Sequence, residues 1–95
     1  MQLQQDEGWF RVPASHPALA GHFPGRPLVP GVLVLEAVVA LAGGAVGGVH
    51  NAKFQAPLGP DERAHVTFSG DGLDFAVVAD SGVAIARGRL LALAT

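Results

Sequence analysis

Residues 21 to 36 read GHFPGRPLVPGVLVLE, and this stretch decides where the one long helix of the chain begins. It begins with a turn in which proline fixes the backbone φ at three positions, Pro24, Pro27 and Pro30. Its second half opens an apolar run that continues to residue 49 with Glu36 as its only charge. The sequence therefore predicts a rigid loop that carries His22, followed by a buried helix that starts at Pro30 or Gly31.

Glu36 is predicted to lie on an apolar face of this helix. Residues three, four and seven positions away share its face, and none of them is polar: Val32, Leu33, Val39, Ala40 and Gly43. Such surroundings disfavour the ionised carboxylate, so we expect a protonated acid. A neutral His22 would be the matching base, and a dehydration needs one acid and one base. The alternative is a buried structural carboxyl held by a backbone N–H or an arginine.

The start of the helix offers a second group. Pro30 suits the first helical position, where its missing N–H costs nothing, and the N–H groups of Gly31 and Val32 then have no intrahelical partner. They lie at the positive end of the helix dipole and can hold a carbonyl oxygen that gains negative charge. Gly31 has no side chain, so a substrate can approach closely. An ordinary helix N-terminus with its amides in water is the alternative.

The segment GHFPGRPLVPGVLVLEA resembles the active-site signature of the 3-hydroxyacyl-[acyl-carrier-protein] dehydratases, single-hotdog enzymes of fatty acid and polyene synthesis. The spacing from His to Glu, the FPG after the His and the PGV at the helix start all match in register. The stretch SHPALAGHFPG is similar to a short, stand-alone, hydroxymyristoyl-ACP dehydratase-like branch, and AKFQAPLGPDE resembles the strand and turn after the family's helix. The family commonly has Gln one helical turn after the Glu, where this chain has Ala40.

This resemblance implies a lyase that removes water from a (3R)-3-hydroxyacyl thioester on acyl carrier protein and gives the trans-2-enoyl thioester. His22 would be the base, Glu36 the acid, and the N–H of Gly31, beside Val32, would bind the thioester carbonyl. No cofactor is expected. The family takes the His of each site from one subunit and the Glu from the other, which implies a homodimer or higher homo-oligomer. We expect the strand around residues 52–56 to pair with its copy.

Further residues are candidates for holding the substrate. The acyl chain would lie against the apolar helix, and two aromatic side chains are candidate walls of its pocket; together these are Val32, Leu35, Val39, Phe23 and Phe54. Arg26 projects from the loop beside the site. It is either a solvated surface residue or a contact to the acidic carrier protein or to a phosphopantetheine phosphate.

Composition limits the other possibilities. A chain of 95 residues is expected to form one domain, residues 1–95. Its net charge of −2, without a basic run, argues against nucleic acid, and the absence of cysteine excludes thiol chemistry and disulfides. His16 and His22 do not have a metal-binding spacing, so no metal is expected. With no visible signal peptide, a cytoplasmic location is the expectation.

The rest of the chain is predicted to form antiparallel strands at 9–13, 50–56, 62–69, 73–79 and 83–93. The expected fold is α+β, one central helix wrapped by a curved sheet of five to six strands. Arg87 and Arg89 should face outward, and His65 should be solvated. The glycines at 43, 44, 47 and 48 are predicted to end the helix and form its exit loop. They and the central Glu36 make 28–49 a poor membrane span.

Two other functions fit the same residues. A hotdog thioesterase would use Glu36 to activate water, but it would not need a positioned His22. A non-catalytic acyl-binding or assembly subunit is consistent with the short chain and with Ala40, but it would need neither His22 nor Glu36. The presence of both residues favours the dehydratase over both alternatives.

Overall fold

The computed structural model describes residues 4–6, 8–19, 28–43 and 46–93, and these form one sheet packed against one helix. A 3₁₀ turn at Pro17–Leu19 precedes the helix. The elements are β1 Gln4–Asp6, β2 Trp9–Arg11, α1 Gly31–Ala42, β3 Val46–Phe54, β4 Ala64–Ser69, β5 Asp74–Ala79 and β6 Ala84–Ala92. The strand order is β1-β2-β4-β5-β6-β3 with every neighbour antiparallel. The predicted α+β hotdog architecture, with six strands, is confirmed.

The helix α1 begins at Gly31, which is one of the two starting residues that the sequence predicts. Pro30 is the N-cap, with φ −59° and ψ 143°, and not the first helical residue. Its extended ψ turns the chain into the helix, and its carbonyl accepts the N–H of Leu33 at 3.0 Å and of Val34 at 3.4 Å. The helix ends at Ala42, and the C-cap that follows is Gly43, whose φ of 88° favours glycine. No helix in the described ranges is long and apolar enough to cross a membrane.

One face of α1 and the inner face of the sheet form the core. The helix contributes Leu33, Val34, Ala37 and Val38. In β5 every second residue is buried, as is typical of a strand with one face on the core. The largest fully buried side chains come from helix, strands and loops alike: Phe10, Val12, Val38, Leu58, Val77, Ile85 and Leu90. The opposite face of α1 is left outside this core.

The two ends of the sheet differ from the prediction. The strand β1 was not predicted; it pairs with β2 in a hairpin that turns at Gly8, where φ is 88°. The strand β3 begins at Val46, so Gly47 and Gly48 belong to a strand and not to the predicted exit loop. The pairing of β3 with β6 keeps these glycines in the sheet across two register shifts. Such irregularities bend a strand, which suits a sheet that curves around a helix.

The outer face of the sheet carries the predicted arginines. Arg87 is exposed, while Arg89 forms ion pairs with Asp71 at 2.8 Å and with Asp74 at 3.0 Å. The hydrogen bond from the Arg89 guanidinium holds the pKa of Asp71 below its ordinary value. His65 was predicted to be solvated. The structure instead places its ring 4.7 Å from the ring of Trp9, its cross-strand partner.

Candidate active site

A groove of about 500 Å³ lies between the outer side of α1 and the strand β3. It is lined by Val32, Leu35, Glu36, Val39, Ala40 and Val49. Glu36 supplies the charged group of this lining, and Val32 and Ala40 lie one helical turn to either side of it. The structure therefore places four residues of the predicted site, Glu36 and the helical acyl-pocket residues, around one apolar groove.

The Glu36 side chain is exposed in the single chain. For the single chain, the prediction that it is shielded from water is therefore wrong. The reason is that α1 buries the face of Leu33, Val34, Ala37 and Val38 and turns Glu36 away from the sheet. Among the described residues, its carboxylate has no hydrogen bond or ion pair. Removing this carboxyl from water requires a further surface over the groove.

Two sets of backbone hydrogen bonds fix the N-terminus of α1. The N–H of Val29 donates to the carbonyl of Leu58 at 2.9 Å, which ties the residue before the N-cap to the loop between β3 and β4. Leu33 and Val34 donate to the Pro30 carbonyl. Gly31 and Val32 come before these donors, and no acceptor for their N–H groups lies in the described part of the chain. These two amides therefore form the predicted donor pair at the positive end of the helix dipole.

Phe54 lies beside this helix start and does not line the groove. A Cβ atom built on Gly31 would lie 2.8 Å from Phe54 Cζ and 3.2 Å from both Cε atoms. The ring therefore covers Gly31 so closely that only glycine fits there without a shift. Phe54 is the last residue of β3, and the next N–H, of Gln55, donates to the carbonyl of Ile85 at 2.8 Å.

Three predicted site residues, His22, Phe23 and Arg26, lie outside the described residues. Two positions that flank this stretch are anchored in the core, since Leu19 is 5% exposed and Val29 is 8% exposed. The proximity of His22 to Glu36 stays a prediction.

Two residues of the groove were not predicted as part of the site. Ala40 was predicted to share the helical face of Glu36 and to replace a Gln that is common in the resembled family, and Val49 was placed at the end of the apolar run. The glycines at 47 and 48 hide the strand pattern around Val49. Val49 directly precedes the predicted strand 50–56, so an extension of that strand by one residue toward the N-terminus would include it.

Comparison with known proteins gives a consistent picture. The family model described as ApeI-like, "ApeI dehydratase", matches residues 2–89. The 3-hydroxyacyl-[acyl-carrier-protein] dehydratase FabZ of Aliarcobacter butzleri is 30% identical over 105 positions, covering 90% of this chain and 71% of that protein. FabZ of Cronobacter sakazakii is 30% identical, with 98% and 75% covered. FabZ of Chlamydia trachomatis is 38% identical over 66 positions, and there the match spans 43% of the relative.

Solved structures share the fold. The structure titled "The Dehydratase Heterocomplex ApeI:P from Xenorhabdus doucetiae" has a TM-score of 0.67 and 20% identity, covering 99% of this chain and 96% of that one. An uncharacterized protein from Erwinia carotovora subsp. atroseptica has a TM-score of 0.67 and 21% identity, with 98% and 90% covered. At these identities the similarity establishes the architecture.

Proposed function

Because the chain belongs to the ApeI-like dehydratase family, we propose that it converts (3R)-3-hydroxyacyl thioesters on acyl carrier protein into trans-2-enoyl thioesters. The observation that carries this proposal is the groove itself. It places a carboxylic acid, Glu36, among apolar side chains on the helix whose first two N–H groups are unpaired within the described residues. The FabZ relatives support the substrate class through their printed activity.

The proposed reaction uses three groups. His22 removes a proton from C2 of the substrate, and the negative charge that develops on the thioester carbonyl oxygen is held by the N–H of Gly31. Glu36 gives its proton to the C3 hydroxyl, which leaves as water while the C2–C3 double bond forms. At the end of this step Glu36 is ionised and His22 is protonated, so the proton that Glu36 gives up is matched by the one that His22 takes. Proton exchange with solvent returns both residues to their starting states.

The acyl chain is proposed to lie along the groove. The apolar wall of the groove consists of Val32, Leu35, Val39 and Val49. Ala40 adds only a small side chain to the lining. Phe23 is proposed as a further wall and Arg26 as a carrier-protein contact, as the resemblance implies. A hydrocarbon chain gains free energy roughly in proportion to the apolar area it buries there.

A second copy of the chain is proposed to close the groove. The strand β3 ends the sheet, so its outer edge is open for pairing. Val32 is 63% exposed and Phe54 is 47% exposed beside that edge, and a surface of this kind suits association. Pairing of residues 52–56 with the same strand of the copy would cover Glu36 and bring in the copy's His22. A different dehydratase chain, as in the heterocomplex named above, is the other possible occupant.

One assay separates the candidate functions. The purified chain is incubated with a 3-hydroxybutyryl thioester and with the trans-2-butenoyl thioester of acyl carrier protein, while enoyl absorbance and free thiol are followed. A dehydratase interconverts the two without releasing thiol. Release of free thiol from either substrate would instead establish the thioesterase, and an inert but stable chain would indicate the non-catalytic subunit.

A further inference from the structure

We infer that Asp61 is a positioning residue, which aligns the N–H groups of Gly31 and Val32 with the carbonyl oxygen of the substrate. The inference rests on the proposed function, because that function assigns the carbonyl oxygen to the start of α1. Asp61 lies in the loop between β3 and β4, outside the groove that contains Glu36. It acts through the backbone of this loop and not by contact with the substrate.

Three hydrogen bonds join Asp61 to β2 and to the residues that follow this strand. Its N–H donates to the carbonyl of Val12 at 2.8 Å, and its carboxylate accepts from Arg11 at 2.7 Å and from the N–H of Ala14 at 3.3 Å. Asp61 also has a φ of 63°, and in the described ranges it is the one residue other than glycine with a positive φ. Aspartate is among the few residues that adopt this conformation readily. Both the backbone and the side chain of Asp61 are therefore fixed relative to β2.

The same loop holds the residues just before α1. The carbonyl of Leu58 accepts the N–H of Val29 at 2.9 Å. Within the described part of the chain, this is the one backbone hydrogen bond that joins residues 28–30 to a residue outside α1. Val29 lies two residues before Gly31, so a shift of the Leu58 carbonyl also shifts the N–H groups at the helix start.

Prolines stiffen the loop that joins the two contacts. Pro57 precedes Leu58 and Pro60 precedes Asp61, and a proline fixes its own φ and restricts the residue before it. Leu58 is 1% exposed, so its side chain anchors one point of the loop in the core. The contacts of Asp61 fix a second point, which stops the loop from rotating about the first. The position of β2 thereby determines the direction in which the Leu58 carbonyl holds the start of α1.

Loss of the Asp61 carboxylate should misalign the two donors without unfolding the protein. The side chains of Asp61 and Arg11 are 52% and 35% exposed, and an ion pair at the surface contributes little to stability. A displacement of catalytic groups by about 1 Å can nevertheless cost about a hundredfold in rate. A role in stability alone and a role in positioning therefore predict different results.

The test measures kcat and KM of the Asp61→Gly variant with the 3-hydroxybutyryl thioester of acyl carrier protein. Glycine adopts a positive φ without strain, so this variant loses only the contacts of the carboxylate. We expect kcat to fall by about tenfold, which a displacement of less than about 1 Å can cause. KM should stay nearly unchanged, because the developing charge is stabilised in the transition state. Asp61→Asn keeps an oxygen that accepts hydrogen bonds and should retain most of the activity.

A second measurement follows the amide resonances of Gly31 and Val32 by NMR and does not depend on turnover. Both resonances should shift in Asp61→Gly relative to the unmodified protein and should return toward their original positions in Asp61→Asn. If Asp61→Gly does not fold, Arg11→Met removes the donor of the ion pair instead. That variant should lower kcat in part and shift the same two resonances.

Asp71→Gly is the matched control. The Asp71 carboxylate also accepts from an arginine, Arg89 at 2.8 Å, and from a backbone N–H, that of Leu73 at 3.1 Å. Asp71 lies between β4 and β5, so its loss should change neither kcat nor the two resonances. An unchanged kcat in Asp61→Gly, or equal changes in both glycine variants, would overturn the inference and leave the proposed function standing. An unmodified protein that does not act on the thioester would overturn the proposed function, while unshifted resonances in Asp61→Gly would show separately that Asp61 does not fix the helix start.

Discussion

At the scale of single residues, the position of Glu36 is unusual because the helix gives it no partner. It is flanked one turn away by Val32 and Ala40, so neither neighbour can donate a hydrogen bond from its side chain. Because this side chain is exposed, water solvates the carboxylate, and it needs no partner from the protein. A carboxyl that gives a proton to a substrate has to be free of ion pairs, and Glu36 has none within the described residues.

Loss of either proposed acid–base residue should abolish turnover while the fold persists. Glu36→Gln and His22→Ala should each reduce the turnover number at least about a hundredfold, which is the usual contribution of a general acid or base. Steady-state dehydration assays measure the loss, and circular dichroism checks the fold. The matched controls are Glu62→Gln, which keeps an oxygen for the hydrogen bond from the Gly59 N–H, and His50→Ala on the exposed side of β3. Full activity in Glu36→Gln would reject its role.

At the scale of elements, β6 shows how one strand serves the core and the surface at once. Leu90 is 1% exposed and Leu91 is 46% exposed, because neighbouring side chains of a strand point to opposite faces. The same alternation places Arg89 on the outer face with Asp74, its partner across the ladder. Two adjacent leucines of the same size are therefore expected to differ strongly in their contribution to stability.

Leu90→Ala should lower the free energy of unfolding by about 2–5 kcal/mol, since it leaves a cavity in the core. Leu91→Ala should change the same quantity by no more than about 0.5 kcal/mol, as surface substitutions usually do. Urea unfolding of both variants and the unmodified protein measures the difference. Similar costs for the two substitutions would contradict the assignment of faces in β6.

The ion pair between Asp71 and Arg89 should make stability depend on pH in acid. The hydrogen bond from Arg89 lowers the pKa of Asp71 in the folded protein below the ordinary value of 3.8. A lowered carboxyl pKa stabilises the fold above that ordinary value, and the contribution is lost as pH falls through the folded value. The unmodified protein should therefore be slightly more stable than Asp71→Asn at neutral pH, with the gap closing below about pH 4. A gap at pH 3 that is as large as at neutral pH, or larger, in urea unfolding would exclude this origin.

At the scale of the whole molecule, the described part of the chain has a sheet edge without a partner strand next to an apolar groove. The edge belongs to β3, and the groove contains Glu36 and Val49. A domain of 95 residues buries a smaller share of its surface than a larger one does. Association through β3 would cover both features in one step, and it would supply the shielding of Glu36 that the single chain lacks.

Mixing two inactive variants should restore activity if each site is shared between copies. After joint unfolding and refolding, His22→Ala and Glu36→Ala chains should form mixed dimers in which one site has both residues. The expected recovery is about a quarter of the unmodified activity, because half of the dimers are mixed and each of them has one intact site. Size-exclusion chromatography with light scattering gives the oligomeric state. A monomer at micromolar concentration, or no recovery in proven mixed dimers, would reject the shared site.

The sequence by itself determined the helix, most of the strands and the identity of the candidate acid and base. These features are local: prolines fix φ before α1, apolar runs set its length, and alternation marks β4 and β5. It also placed Glu36, Val32, Leu35 and Val39 on related faces of one helix, since the helical period alone brings them together. The strand β1 and the early start of β3 were missed, because glycines and short polar segments carry no clear periodicity.

Only the tertiary structure decided which face of α1 meets the sheet, and thereby exposed Glu36 in the single chain. It also placed Val49 in the groove, set the Phe54 ring on Gly31, and made β3 the edge of the sheet. The physical reason is that these contacts join segments far apart in the chain. Their geometry depends on strand order and register, which are fixed by the packing of the whole core and by no single stretch of sequence.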